Sequence, residues 1–137
     1  MGEPDYHSRE FDLRLIEKRR GQPQFREALI RAYGQACALT GCDAEPALEA
    51  AHIRPFCEGA ASHVTNGLLL RADIHTLFDL GEIQIDPDSL RVRLSERLRT
   101  SSYGELEGKR IRLPANDRES PSRDALRDRW KFEPPKE

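Results

Sequence analysis

Two histidines, an asparagine and an aspartate stand close together in mid-chain, within Ala51-His52-Ile53-Arg54-Pro55, Asn66-Gly67-Leu68-Leu69-Leu70 and Asp73-Ile74-His75-Thr76-Leu77-Phe78-Asp79. Thirteen residues separate His52 from Asn66, and eight separate Asn66 from His75. Hydrolysis of a phosphodiester asks for a base that deprotonates water, a cation that holds the phosphate and leaving oxygens, and a group that fixes the base. A neutral imidazole, with a pKa of about 6.5, suits the first task, and His52 stands for it at the end of a predicted strand. Asn66 is uncharged. It can hydrogen-bond the imidazole or the loop backbone without competing for a cation. His75 and Asp79 are four residues apart, so on a helix they share a face and can reach one ion. One histidine and one carboxylate, with water in the remaining positions, fit Mg2+, Mn2+ or Ni2+ better than they fit a closed structural zinc site.

Such residues converge only if two strands and a helix bring them together. Ala47 to Ile53 reads as an extended segment that Pro55 ends. Glu58 to Asn66, rich in Gly, Ala, Ser and Thr, reads as the hairpin loop, and Gly67 to Arg71 as the returning strand. Asp73 is the expected N-cap of a short helix from Ile74 to Leu80, which Gly81 terminates. Upstream, Pro23 suits a first helical turn. Phe25, Ala28, Leu29, Ala32 and Tyr33 recur at the spacing of an amphipathic helix, and Gly34 suits its end. Downstream, Ile83-Gln84-Ile85 and Val92-Arg93-Leu94 flank the turn Asp86-Pro87-Asp88 and predict a second β-hairpin. Phe25, Leu29, Tyr33, Leu68, Leu70, Leu77 and Phe78 form the expected core.

The run from Gly67 to Gly81, with His52 on the strand before it, resembles one branch of the HNH endonuclease family. In that branch a Phe-Arg-x-x-Leu helix and a Cys-Ala-x-Thr-Gly turn precede the core. Both are present, as Phe25-Arg26-Glu27-Ala28-Leu29 and Cys37-Ala38-Leu39-Thr40-Gly41. The likeness runs from about Arg20 to Asp86 and more weakly through Leu113-Pro114. It implies an α+β fold, a ββα-metal core with an amphipathic helix before it and a β-hairpin after it. It also implies one divalent metal ion, with His52 as general base, Asn66 as its positioning partner and His75 as metal ligand. The implied substrate is DNA. Members of this branch are commonly attached to sensor modules, so the implied role is a restriction or phage-defence effector. The chain departs from the family at Ala51, where many members carry an acidic or histidine metal ligand. The ion then relies on His75, Asp79, water and phosphate, and Glu49 is the nearest spare carboxylate. The expected organisation is an N-terminal extension over 1–20, the nuclease domain over 21–114, and a charged, proline-containing tail over 115–137 packed on the domain.

Arg54 and Arg71 flank the predicted site and are candidates for phosphate contact, with His63 in the loop as a weaker one. A solvated or locally paired side chain is the commoner meaning of any of the three. Lys18-Arg19-Arg20, with Arg26 and Arg31, forms a basic cluster that can also meet phosphate. Within the extension, Phe11, Leu13, Leu15 and Ile16 are expected to dock a short segment on the body. In the tail, Trp130 and Phe132 are expected anchors and a helix is expected near Asp124 to Trp130. Cys37 and Cys42 invite a zinc reading, but Cys57 stands alone and no second pair follows, so no structural zinc is expected and the thiols read as small buried hydrophobes.

The bulk properties agree with a single domain of 137 residues, 37% hydrophobic and 34% charged. A net charge of −2 argues against a sequence-independent DNA coat and leaves room for an enzyme that another domain or subunit delivers. No run approaches the roughly 20 apolar residues that span a bilayer, and the N-terminus has neither the basic start nor the apolar stretch of a signal peptide. Three cysteines make no disulfide framework, so a reducing cytoplasm is the expected location. The expected partners are DNA and either a second copy of the chain or a sensor or targeting unit, with no membrane. Two alternatives share the same residues: a non-catalytic DNA-binding or assembly module on the same scaffold, and an RNase using the same site.

Overall fold

Strands β1 (Leu48–His52) and β2 (Gly67–Arg71) pair antiparallel, with His52 opposite Gly67 and Leu48 opposite Arg71. The computed structural model describes residues 5–55 and 62–131, with side chains from Arg9 onward. A two-stranded hairpin does not hold alone in water, and here helices cover both of its faces. Helix α2 (Pro23–Ala32) lays Phe25 and Leu29 against the face that carries His52 and Gly67. Helix α3 (Ala72–Asp79) covers the other face, where its His75 meets Glu49. Leu68, Leu69 and Leu70 are therefore buried without alternation. Gly67 is required by this packing: a Cβ there would lie 2.6 Å from Phe25 Cζ and 2.8 Å from Leu29 Cδ1.

Helix α3 begins two residues earlier than Asp73 suggested. Arg71 is its N-cap, without a side-chain capping bond. The Asp73 carboxylate accepts instead from the Arg71 guanidinium, at 2.6 and 3.0 Å, and from the Tyr103 hydroxyl at 2.7 Å. Those bonds hold its pKa down at about 2. A charged, two-pronged donor next door is the carboxylate's strongest partner, with the Ile74 N–H a weaker one. The helix ends at Gly81 as expected, the Gly81 N–H returning to the Phe78 carbonyl and the Glu82 N–H to that of Leu77.

The second hairpin is formed by β3 (Ile83–Ile85) and β4 (Val92–Leu94). Its inward side chains continue the core through Ile83, Ile85, Val92 and Leu94. A short helix α4 (Glu96–Arg99) follows. Near the C-terminus α5 (Arg123–Arg129) buries Ala125 and Leu126, and the Ser122 N–H bonds the Thr65 carbonyl at 2.8 Å. Trp130 is half-buried. Phe132 and Cys57 lie outside the described residues.

The N-terminal segment differs from expectation. It is a helix, α1 (Asp5–Arg20), and its Phe11, Leu13, Leu15 and Ile16 are exposed rather than docked, at 58, 53, 46 and 47%. At 100° per residue those four positions scatter round the cylinder, so no single face can bury them together. Contact with the body comes from the last turn. Gly21, at φ +101°, lets the chain turn away while its Cα passes Ala50; a Cβ there would sit 2.9 Å from the Ala50 Cβ. Two residues before Gly21, Arg19 reaches across to Glu49 of β1 and to Thr76 and Asp79 of α3.

Among the described residues no helix is long and apolar enough to cross a membrane.

Candidate active site

A cleft at the loop end of the first hairpin is lined by His52, His75 and Asp79, with Arg19 on one wall and Arg129 on another. His52 is the last residue of β1. Its ring stacks on Phe25 with centroids 4.4 Å apart and planes 15° from parallel. Burial pushes its pKa below the usual 6.5, and His75 pushes the same way while Asp79 opposes. The neutral imidazole is thereby favoured.

Asn66 immediately precedes β2 and is buried. Its Oδ1 accepts from the Arg54 N–H at 2.9 Å, and its Nδ2 donates to the Arg54 carbonyl at 3.3 Å. The Ile53 N–H adds a bond to the Asn66 carbonyl at 2.9 Å. The Asn66 side chain thus pins Arg54, and its main-chain carbonyl pins Ile53, the two residues that follow His52.

His75 is buried, and its Nδ1 lies 2.6 Å from Glu49 Oε1. With Nδ1–H donating to the carboxylate, Nε2 keeps its lone pair. Asp79 Oδ2 stands 3.4 Å from that Nε2. Two acceptors at this separation suit a cation shared between them, since donors each about 2.1 Å from one divalent ion stand about 3.0–3.4 Å apart. A carboxylate behind a histidine ligand is also the usual way to orient it. The pair therefore fits a divalent ion whose remaining positions go to water and phosphate. Among the described residues no group of three His, Cys, Asp or Glu side chains is arranged to hold a metal. Ala51 is fully buried and contributes no ligand. Glu49 shares its strand face, two residues along, and turns to His75 Nδ1 instead.

Two arginines complete the site: Arg19, from the basic cluster at the end of α1, and Arg129, which no sequence pattern singled out. Arg19 Nη1 donates to Asp79 Oδ2 at 3.1 Å and Nη2 to Thr76 Oγ1 at 3.2 Å, while Nη2 stands 3.6 Å from Glu49 Oε1. Arg129 donates to the Ile53 carbonyl at 3.0 Å and the Phe78 carbonyl at 2.6 Å. Its guanidinium lies 4.0 Å over the Phe78 ring. Burial lowers the Arg129 pKa, with Asp79 opposing.

The remaining candidates are placed apart from this centre. Arg71 is at the far end of the hairpin, paired with Asp73. Arg54 is ion-paired with Asp128 at 2.8 Å, both side chains exposed. His63 caps the turn before Asn66, its Nδ1 accepting from the Thr65 N–H at 3.2 Å. Cys37 Sγ accepts from the N–H groups of Thr40 and Arg71, at 3.4 and 3.3 Å, tying the Cys37–Gly41 turn to β2. Cys37 and Cys42 are free thiols.

A strand–turn–strand–helix unit presenting His52, His75 and Asp79 on one cleft is what the comparison with known families addresses. Residues 37–86 match the model of the HNH endonuclease family. The matched segment is similar to an HNH endonuclease domain. No curated protein matches the chain. Among solved structures, the HNH fold here is similar to that of the modification-dependent TagI restriction endonuclease, with a TM-score of 0.53 and 22% identity. The match covers 75% of this chain and 35% of that one, so the chain corresponds to about a third of that protein's length. The HNH match begins at Cys37, so α1 and its Arg19 lie outside it.

Proposed function

We propose that the chain is a divalent-metal-dependent HNH endonuclease that hydrolyses phosphodiester bonds in DNA, as a restriction or phage-defence effector. The observation that carries this reading is a half-buried imidazole held towards its neutral form on the same cleft as the His75–Asp79 pair. His52 takes the proton from the attacking water, the water oxygen bonds to phosphorus, and the bond to the leaving 3′-oxygen breaks. Phe25 fixes the plane of the imidazole, and Asn66 fixes the chain that follows it. Glu49 holds His75 in the tautomer whose Nε2 faces Asp79. His75 and Asp79 would hold the ion, which supplies charge stabilisation on the phosphate and the leaving oxygen. Arg54 can exchange its exposed partner Asp128 for a phosphate.

One such site per chain makes a nick. A paired cut needs a second copy or a larger assembly, and delivery to DNA by a sensor or targeting unit is consistent with the charge of −2. The restriction role of the fold-similar TagI enzyme supports the same assignment. A second reading, a non-catalytic DNA-binding or assembly module, draws on Ala51 in place of an acidic ligand and on the Arg19–Asp79 bridge.

Plasmid cleavage separates the two. Supercoiled DNA is incubated with wild type and His52→Ala in EDTA, Mg2+, Mn2+ and Ni2+. The nuclease reading expects metal-dependent nicking by wild type and a loss of about 100- to 10,000-fold in the variant. Intact plasmid in every metal with retained DNA binding favours the scaffold, and an RNA substrate cut in parallel would widen the substrate class.

A further inference from the structure

We infer that Arg19 is a tethered counter-cation that occupies the metal-facing oxygen of Asp79 and is displaced when a divalent ion binds. The inference rests on the reading of Asp79 as a metal ligand. The atom identities carry it. Asp79 Oδ2, the oxygen that faces His75 Nε2 at 3.4 Å, is the oxygen that accepts from Arg19 Nη1 at 3.1 Å. Glu49 Oε1, which takes the Nδ1 proton of His75, is the oxygen 3.6 Å from Arg19 Nη2. One guanidinium therefore bridges both carboxylates across the imidazole, filling with a side chain the positive charge that the site lacks.

A divalent ion on Nε2 and Oδ2 would face this fixed positive charge at short range, and the two cannot share Oδ2 without repulsion. Arg19 belongs to α1, whose Phe11, Leu13, Leu15 and Ile16 stay about half exposed and lie outside the core. Nothing in the core has to move for the guanidinium to withdraw. Its released donors would then face the cleft, where a substrate phosphate is the nearest anion on offer. The arrangement couples metal loading to the position of α1 and makes Arg19 a positioning residue that acts through Asp79.

The test is Mn2+ binding by the intact chain without DNA, read from loss of the free-Mn2+ electron paramagnetic resonance signal. Wild type, Arg19→Gln, Arg19→Lys and Asp79→Asn are compared, with circular dichroism confirming that each is folded. Arg19→Gln is expected to tighten Mn2+ binding by about three- to tenfold. Arg19→Lys is expected to stay near wild type because it keeps the charge. Asp79→Asn is expected to bind weakly or not at all. Arg19→Gln affinity equal to or weaker than wild type, with Asp79→Asn impaired, overturns the displacement and leaves the metal reading standing. Binding that is absent in wild type and Arg19→Gln alike, or that survives unchanged in Asp79→Asn, overturns both.

Discussion

Glu49 Oε1 and His75 Nδ1 lie 2.6 Å apart, and both residues are buried. The contact spans from a strand to the helix that covers it, and it decides which imidazole nitrogen reaches the cleft. Without the carboxylate, His75 is free to carry its proton on Nε2, where it cannot bind a cation.

Glu49→Ala is therefore expected to lower Mn2+ affinity by about 10- to 100-fold, with a parallel loss of nicking at limiting metal. Glu49→Gln keeps an acceptor oxygen for Nδ1–H and is expected to lose less. Metal titrations of both variants against wild type check the order. Equal affinity in Glu49→Ala and wild type would remove Glu49 from the site.

The pH profile follows from His52. Burial, then His75, lowers its pKa below 6.5, with Asp79 opposing. The base works only when neutral, so the cleavage rate is level well above the folded pKa and falls as pH drops through that value, which lies below 6.5. Stability carries the same sign. The unfolded chain takes up the proton at about 6.5 and the folded one only below it, so the stability held above pH 6.5 is lost as pH falls towards the folded pKa. Single-turnover rates between pH 5 and 8 are the measurement, and a midpoint at or above 6.5 would contradict the environment described for His52. His52→Asn should lose this contribution to the stability slope.

The hairpin and α3 were legible because their signals are local: apolar runs closed by Pro55 and Gly81, and a four-residue step from His75 to Asp79. The parts that escaped come from elsewhere in the chain. Helix α1 carries no apolar stripe, so periodicity could not reveal it. Arg19 and Arg129 reach the cleft from the two ends of the sequence, by contacts that no short-range pattern encodes. Glu49 did leave a trace. Strand alternation puts it on the face of Ala51, where the family-type ligand is missing, and a carboxylate on that face has only α3 to meet. Asp73 was misread because a cap signal cannot show that Arg71, two residues away, competes for the same oxygens.

Gly67 links packing to the site. It pairs with His52 across the hairpin, and its missing side chain makes room for the Phe25 ring on which His52 stacks. Gly67→Ala must push Phe25 aside, and overpacking of this kind costs about 1–3 kcal/mol. Urea denaturation should show a lower midpoint with an unchanged slope. Nicking should fall as well, because the stacked ring moves with Phe25. A variant as stable and active as wild type would mean that Phe25 has slack that the contact distances do not suggest.

Arg129 makes the last case, because it acts on position without touching the reacting groups. It bonds the carbonyl of Ile53, one residue after His52, and that of Phe78, one residue before Asp79. A single planar fork thus sets the distance between the two segments that carry the proposed base and the proposed ligand. Hydrogen bonds from a charged donor are worth about 1.5–3 kcal/mol each in favourable settings, and stacking on Phe78 adds to them. Arg129→Ala is expected to destabilise the fold by about 2–4 kcal/mol and to reduce nicking at temperatures where the variant is still folded. Arg129→Lys tests whether charge alone suffices. An ammonium is a single point donor and cannot span both carbonyls in one plane, so it should restore part of the stability and little of the rate. Full recovery of both in Arg129→Lys would show that the cleft needs a positive charge at this place and not the fork.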